Sequence, residues 1–123
     1  MHARRTTFAL FGGLGASVLL LLGVAVHAQD QGTVREFTIR AHKYAFAPPR
    51  LEVHQNDVVK ITLTADDIAH SFTIDAYRIA KRAGVGQTVV FEFRADQAGT
   101  FPYYCNLTID DGCRNMRGQL VVK

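Results

Sequence analysis

The side chains that could hold a soft metal ion are few, and half of them lie near the end of the chain. Downstream of residue 28 they are His42, His54, His70, Cys105, Cys113 and Met116. Thiolate, thioether and imidazole together form a ligand set that suits copper better than zinc. Structural zinc sites commonly use closely spaced cysteine pairs, and this chain has none. Carboxylates do not cluster with these residues, which argues against calcium and magnesium.

The first 28 residues differ in composition from the rest of the chain. Arg4 and Arg5 precede an uncharged, largely apolar stretch, and the small-residue pattern at Val26-His27-Ala28 fits a signal-peptidase site. We therefore interpret residues 1–28 as a secretory signal. Because the apolar stretch approaches membrane-spanning length, an uncleaved membrane anchor is the alternative. Residues 29–33 are then a short tether, and residues 34–123 form one domain in the periplasm or another extracytoplasmic location.

Export decides which chemistry is open to the two cysteines. In an oxidising compartment a pair of thiols forms a disulfide, binds metal or reacts. The residues themselves leave both a metal site and a Cys105–Cys113 disulfide open. The formal net charge of the chain is +3, and Arg4 and Arg5 supply two of these charges. The domain itself is close to neutral, which gives no support to nucleic-acid binding.

The elements that position these side chains are short strands. Val34–Ile39, Val58–Thr64 and Gln87–Phe93 alternate apolar and polar residues, as half-buried strands do. Further short strands are predicted at His70–Ile74, Thr100–Cys105 and Gly118–Val122. No segment has a sustained 3.6-residue period, and a single helical turn is expected only within Asp75–Ala83. Seven or eight strands with turns every 8–12 residues predict an all-β, antiparallel Greek-key β-sandwich.

Three segments together resemble a known family. Asp67–Phe72, Gly99–Cys105 and Met116–Val122 are similar to the cupredoxins, above all to the CuA-type copper domain of nitrous oxide reductase and of cytochrome c oxidase subunit II. Tyr44–Pro48 and Leu51–Val53 resemble the early strands of that branch and of iron-transport-associated cupredoxin-like domains. The likeness covers nearly all of residues 34–123.

The resemblance implies a set of metal ligands. The family's histidine, first cysteine and methionine positions fall on His70, Cys105 and Met116. In the binuclear branch, the second cysteine and the second histidine would fall on Ile109 and Cys113, so this chain departs from that pattern at both positions. We therefore expect a mononuclear copper site formed by His70, Cys105, Cys113 and Met116. His42 and His54 are expected to be surface residues.

The resulting hypothesis is an exported, monomeric copper-binding cupredoxin that acts in electron transfer or copper handling. No nucleophile–base arrangement is visible, so we do not expect an enzyme. Its partner would be a redox or copper-transfer protein, and it would touch a membrane only through an uncleaved N-terminal segment. Two alternatives are a metal-free binding or structural module with a Cys105–Cys113 disulfide, and an accessory domain for assembling a copper centre.

Overall fold

The computed structural model describes residues 12–23, 32–108 and 110–123. Most of the predicted signal and tether, and Ile109, lie outside these residues. Residues 12–23 are exposed and have no regular secondary structure. In the described part of the chain, no helix is long and apolar enough to cross a membrane.

The described residues form two packed sheets. The strands are β1 (Val34–His42), β2 (Ala45–Ala47), β3 (Arg50–Val53), β4 (Val58–Ala65), β5 (His70–Ile74), β6 (Ile79–Ala83), β7 (Thr88–Arg94), β8 (Gly99–Tyr104) and β9 (Arg117–Val122). One sheet has the order β2-β1-β4-β7, and the other has the order β3-β9-β8-β5-β6. A short helix, α1 (Asp111–Asn115), connects β8 to β9.

The predicted β-sandwich is confirmed, and each sheet also contains one parallel pair. β1 runs parallel to β4 in the first sheet, and β3 runs parallel to β9 in the second. The chain crosses to the second sheet to form β3 and then returns to the first sheet. Because of this crossing, β4 lies beside β1 without a hairpin, and the two strands run in the same direction.

The core lies between the sheets, where the alternating apolar residues meet. Every second residue of β4 is buried, as its sequence period predicts. An aromatic cluster fills one part of this core: Tyr103 stacks on Phe72 with ring centroids 4.6 Å apart, and Phe46 meets Tyr103 edge-on at 5.2 Å. Tyr103 is fully buried while the next residue, Tyr104, is partly exposed, which agrees with the alternation expected along β8.

Two elements, β6 and α1, were not predicted from the sequence. The single helical turn expected within Asp75–Ala83 is present as a 3-10 turn at Asp75–Tyr77, but the same segment then forms β6, which pairs with β5 at the edge of the sheet. Three consecutive residues of β6 are exposed, so its sequence has no period-two pattern. Helix α1 has only five residues and is begun by Asp110, whose side chain accepts a hydrogen bond from the Gly112 backbone. A helix this short leaves no 3.6-residue period in the sequence.

Candidate metal centre

The start of β5 is joined to the segment that carries Cys105. His70 is the first residue of β5 and is fully buried. The backbone N–H of Ser71 donates a hydrogen bond to Cys105 Sγ at 3.3 Å. The Ser71 hydroxyl donates to Asn106 Oδ1 at 2.6 Å and accepts from the Asn106 N–H at 2.7 Å. These bonds hold the histidine and the first cysteine at the same end of the sandwich.

The two cysteines are bonded to each other. Cys113 lies in α1 and forms a disulfide with Cys105, with the two Cα atoms 5.2 Å apart. Both residues are 1% exposed. Met116 follows the helix, is fully buried, and donates its backbone N–H to the Cys113 carbonyl at 3.1 Å. Of the two outcomes that the sequence left open for the cysteines, this structure has the disulfide.

The two nitrogens of the His70 ring have different surroundings. Nε2 lies 2.9 Å from Asp67 Oδ1. Nδ1 is buried and has no hydrogen-bond partner in the described part of the chain. Most buried polar atoms in proteins are satisfied, so a bare buried nitrogen calls for an explanation. A nitrogen with a free lone pair and no competing partner is suited to binding a metal ion.

The Asp67 carboxylate is held by three donors. Oδ2 accepts from the Lys43 backbone at 2.7 Å, and Oδ1 accepts from the Ile68 backbone at 2.8 Å in addition to its contact with His70. Burial alone would raise the pKa of the Asp67 carboxyl, but the bonds from His70, Lys43 and Ile68 outweigh it and hold the pKa well below its ordinary value. Asp67 was not among the predicted site residues; its only signal was its place in the Asp67–Phe72 segment.

The β1–β2 turn contacts both sides of the site. Lys43 binds Asp67 through its backbone, and the hydroxyl of the next residue, Tyr44, donates to Asp110 Oδ2 at 3.1 Å. The Tyr44 ring occupies the space that a side chain at Gly112 would need. Tyr44 therefore covers α1 next to Cys113. No sequence pattern pointed to this contact, because the two residues are far apart in the chain.

The other two histidines lie elsewhere. His54 is in the β3–β4 turn and its side chain is 74% exposed, as expected for a surface residue. His42 ends β1 and is only half-buried. Within residues 32–108 and 110–123, neither side chain has a hydrogen bond to the four predicted ligands.

Whether the four predicted ligands suit a soft metal ion depends on whether Cys105 and Cys113 are reduced or joined in a disulfide. His70 offers an unpartnered nitrogen and Met116 a buried thioether, but the disulfide removes both thiolates. Accordingly, the described residues contain no group of three or more His, Cys, Asp and Glu side chains arranged for a metal. Reduction would add two thiolates to the imidazole and the thioether, which is a copper-type set. The residues therefore fit copper as a dithiol and not as a disulfide.

Comparison with known proteins agrees with the fold. The chain resembles a heme-copper terminal oxidase (18% identity, TM-score 0.64, covering 72% of this chain and 65% of the other). It resembles the periplasmic domain of subunit II of cytochrome oxidase of Bradyrhizobium japonicum (16% identity, TM-score 0.64, covering 72% and 83%). It also resembles auracyanin A, a blue copper protein of Chloroflexus aurantiacus (21% identity, TM-score 0.60, covering 73% and 99%).

These identities are low, so the likenesses establish the fold alone. The chain also spans just under two thirds of the terminal oxidase chain, at 65%. A stronger statement comes from the sequence profile of the cupredoxin-like domain, which matches residues 14–122. That match covers most of the chain, including both sheets and all four predicted ligands. This chain belongs to the cupredoxin-like domain family.

Proposed function

We propose that this protein is an exported, mononuclear copper-binding cupredoxin whose ligands are His70, Cys105, Cys113 and Met116. Its role is electron transfer or copper handling, and it is not an enzyme. Its partner is a redox or copper-transfer protein, and it acts in the periplasm as a monomer. The family and the fold support the copper-related class; the ligand set, the partner and the location are proposals.

The observation that carries the proposal is the bare Nδ1 of His70. This nitrogen is buried without a partner, while the adjacent Ser71 donates its N–H to Cys105 Sγ. An N–H bond to sulfur stabilises the thiolate form once the disulfide is reduced. An imidazole nitrogen and a stabilised thiolate at one end of a sandwich are the kinds of ligand that a copper site uses.

The disulfide requires that the site be reduced before it is loaded. A dithiol reductant transfers two electrons and two protons, so that the S–S bond breaks, two thiols form and the reductant becomes a disulfide. Metal binding then displaces the thiol protons. Three sulfurs and one nitrogen are softer than the usual two imidazoles and one thiolate, and this favours Cu(I). When bound, copper would supply one-electron transfer or would itself be the cargo.

The test is a thiol count and a copper titration on the purified domain before and after treatment with dithiothreitol. We expect no free thiols and weak Cu(I) binding before treatment, and two thiols with one tightly bound Cu(I) afterwards. The Cys105→Ser, Cys113→Ser double variant is the matched control and should bind weakly in both conditions. A reduced protein that takes up no more copper than this control would refute the proposal.

The disulfide itself favours a second candidate function. A cupredoxin-fold module that has lost its metal would keep Cys105–Cys113 as a permanent structural bond, and this is the state that the cysteines have here. Such a module would serve as a binding or structural domain. Its signature is a disulfide that persists in mild reductant together with no copper uptake after full reduction.

A further inference from the structure

An open groove lies on the outer face of the second sheet, which is the face turned away from the core. Its volume is about 430 Å³, and it is lined by Pro49, Arg50, Pro102, Arg117, Gly118 and Gln119. Gly118 and Leu120 are buried while Arg117 and Gln119 are exposed, so β9 presents these two polar side chains outward. The two prolines have no N–H group and make part of the groove apolar.

The guanidinium of Arg117 is held in place by an aromatic ring. It lies over the Tyr104 ring, 5.2 Å from the ring centroid, which is the geometry of a cation–π contact. The Tyr104 hydroxyl bonds to both oxygens of the Asp75 carboxylate, at 2.9 and 3.1 Å, and this contact fixes the ring. A guanidinium that stacks on a ring keeps the N–H groups along its edge for other acceptors. The ion pairs in the described part of the chain do not involve Arg117.

Arg50 brings a second guanidinium to the same groove. In the register of β3 and β9 it pairs with Gln119, so it lies one strand across and two residues along from Arg117. The spacings within and between strands place the two arginine Cα atoms about 8 Å apart. The Arg50 side chain is 57% exposed, and its 3.5 Å contact with Glu52 uses one nitrogen. Glu52 also pairs with Lys123, so most of the Arg50 guanidinium remains available to an anion.

The chemistry and shape of the groove select an extended ligand that carries carboxylates. Guanidinium groups bind carboxylates through two parallel hydrogen bonds. In an extended polypeptide, side chains at positions i and i+2 lie on one side and about 7 Å apart, which is close to the separation of the two arginines. Small-molecule sites enclose most of their ligand, whereas this groove is open to solvent. A polypeptide segment lying across the sheet therefore fits it better than a small molecule.

We propose that this groove binds an extended acidic segment of a partner protein, with two carboxylates of the segment on Arg50 and Arg117. The inference goes beyond the copper function and does not depend on it, because none of the groove residues is a predicted metal ligand. Ion pairs between exposed groups contribute little each and are screened by salt. The resulting complex is weak, transient and sensitive to salt.

The first experiment titrates the purified, oxidised protein with a short blocked peptide in which glutamate alternates with serine. In 15N NMR spectra, we expect the amide signal of Gln119 and the side-chain Nε–H signals of Arg50 and Arg117 to shift. Added salt should weaken the binding. The control peptide has glutamine in place of glutamate and should not bind. Shifts confined to other parts of the protein, or no binding at peptide concentrations up to about 1 mM, would refute the proposal.

The second experiment compares variants of the two arginines. Arg50→Gln and Arg117→Gln should each weaken peptide binding about two- to fivefold, as loss of an exposed ion pair does. Gln119→Glu places a carboxylate between the arginines and should abolish binding. Arg35→Gln removes the same charge from an exposed position of β1 in the other sheet and is the matched control. Equal weakening by Arg35→Gln would mean that net charge alone attracts the peptide, which would overturn the assignment of the groove.

Acetate, added alone, distinguishes a site for small anions from a surface for a protein segment. One acetate can occupy only one of the two arginines, whereas one peptide reaches both. We therefore expect acetate to shift the Arg50 and Arg117 signals only at much higher concentrations than the peptide does. If acetate is as effective per carboxylate as the peptide, the groove is a site for small anions and the proposed protein partner is wrong.

Discussion

By the sequence resemblance, Cys113 falls at the position of the second histidine of the binuclear branch. Cys113 is 1% exposed, and its sulfur is bonded to that of Cys105. A histidine at this position would end the disulfide and would leave Cys105 as a single thiol. The new histidine, His70, Cys105 and Met116 would then form the two-histidine, one-cysteine, one-methionine set of blue-copper sites.

Cys113→His should therefore bind Cu(II) without any reductant and develop an intense thiolate-to-copper absorption band. Cys113→Ser, which also frees Cys105 but offers a poor ligand, is the matched control and should give a much weaker band. Visible and EPR spectra make the comparison. Identical spectra for the two variants would mean that residue 113 does not face the metal.

Position 118, near the start of β9, has no room for a side chain. A side chain there would overlap the Tyr103 ring, which is stacked on Phe72 and whose hydroxyl donates to the Pro48 carbonyl at 3.2 Å. The stacking on Phe72, the edge-on contact with Phe46 and the hydrogen bond of the hydroxyl all oppose a shift of the ring.

Gly118→Ala should lower the free energy of unfolding by about 1–3 kcal/mol, as overpacking of a core does. Denaturant unfolding of the oxidised protein measures it. Gln119→Ala, at the exposed neighbouring position, should change it by less than about 0.5 kcal/mol. Equal stabilities of the two variants would show that Tyr103 has room to shift.

At the scale of elements, the β3–β4 turn depends on one buried carboxylate. Asp57 is 3% exposed, and its two oxygens accept from the Thr33 and His54 backbones at 2.9 and 2.8 Å. These two bonds hold the pKa of the Asp57 carboxyl below its ordinary value, against the opposing effect of burial. The His54 ring and Arg35 act in the same direction and also lower the pKa of the Asp57 carboxyl.

Asp57→Asn should destabilise the protein by about 1–3 kcal/mol near neutral pH, since it removes charge-assisted bonds. A carboxyl whose pKa is lowered by folding stabilises above its unfolded pKa of about 4 and loses this contribution as the pH falls. The difference between wild type and variant should therefore shrink below about pH 4. Denaturant unfolding across pH 3–7 checks this, with Asp66→Asn as the surface control. A difference independent of pH would contradict it.

The elements also differ in how far the sequence could reveal them. β4 and β7 alternate clearly because one face of each meets the core, and β5 and β8 were placed by the segments around His70 and Cys105. β6 lacks that signal because it is an edge strand with three exposed residues in succession. The contacts of Asp67 with Lys43, and of Tyr44 with Asp110, join residues distant in sequence, and no local pattern encodes such pairs.

For the molecule as a whole, the disulfide stabilises the folded domain, and it also ties up the two thiols that the proposed metal site needs. It closes a short loop with a sequence separation of 8 residues. In the chain-entropy account, such a bond contributes about 2–3 kcal/mol, which is a large share of the stability of a small domain. Binding of metal at the proposed site would therefore require loss of the disulfide, and the bound metal would then link the same two cysteines.

Reduction of the metal-free protein should lower the free energy of unfolding by about 2–3 kcal/mol. Adding Cu(I) to the reduced protein should restore stability, because a ligand that binds only the folded state stabilises it. Calorimetry or denaturant unfolding measures the oxidised, reduced and copper-loaded forms. The double Cys→Ser variant should respond to neither treatment, and an equal response from it would place the effect elsewhere.

The Tyr44 contact has a consequence for the speed at which the cysteines can react. Both sulfurs are buried, and Tyr44 lies over the helix that carries one of them. A bulky protein dithiol must wait for this end of the molecule to open locally, whereas a small thiol needs a smaller opening. Tyr44→Ala should therefore accelerate disulfide reduction by a thioredoxin-type protein more than reduction by dithiothreitol. The β1–β2 turn would then control the rate of thiol–disulfide exchange and would favour small reductants over protein reductants.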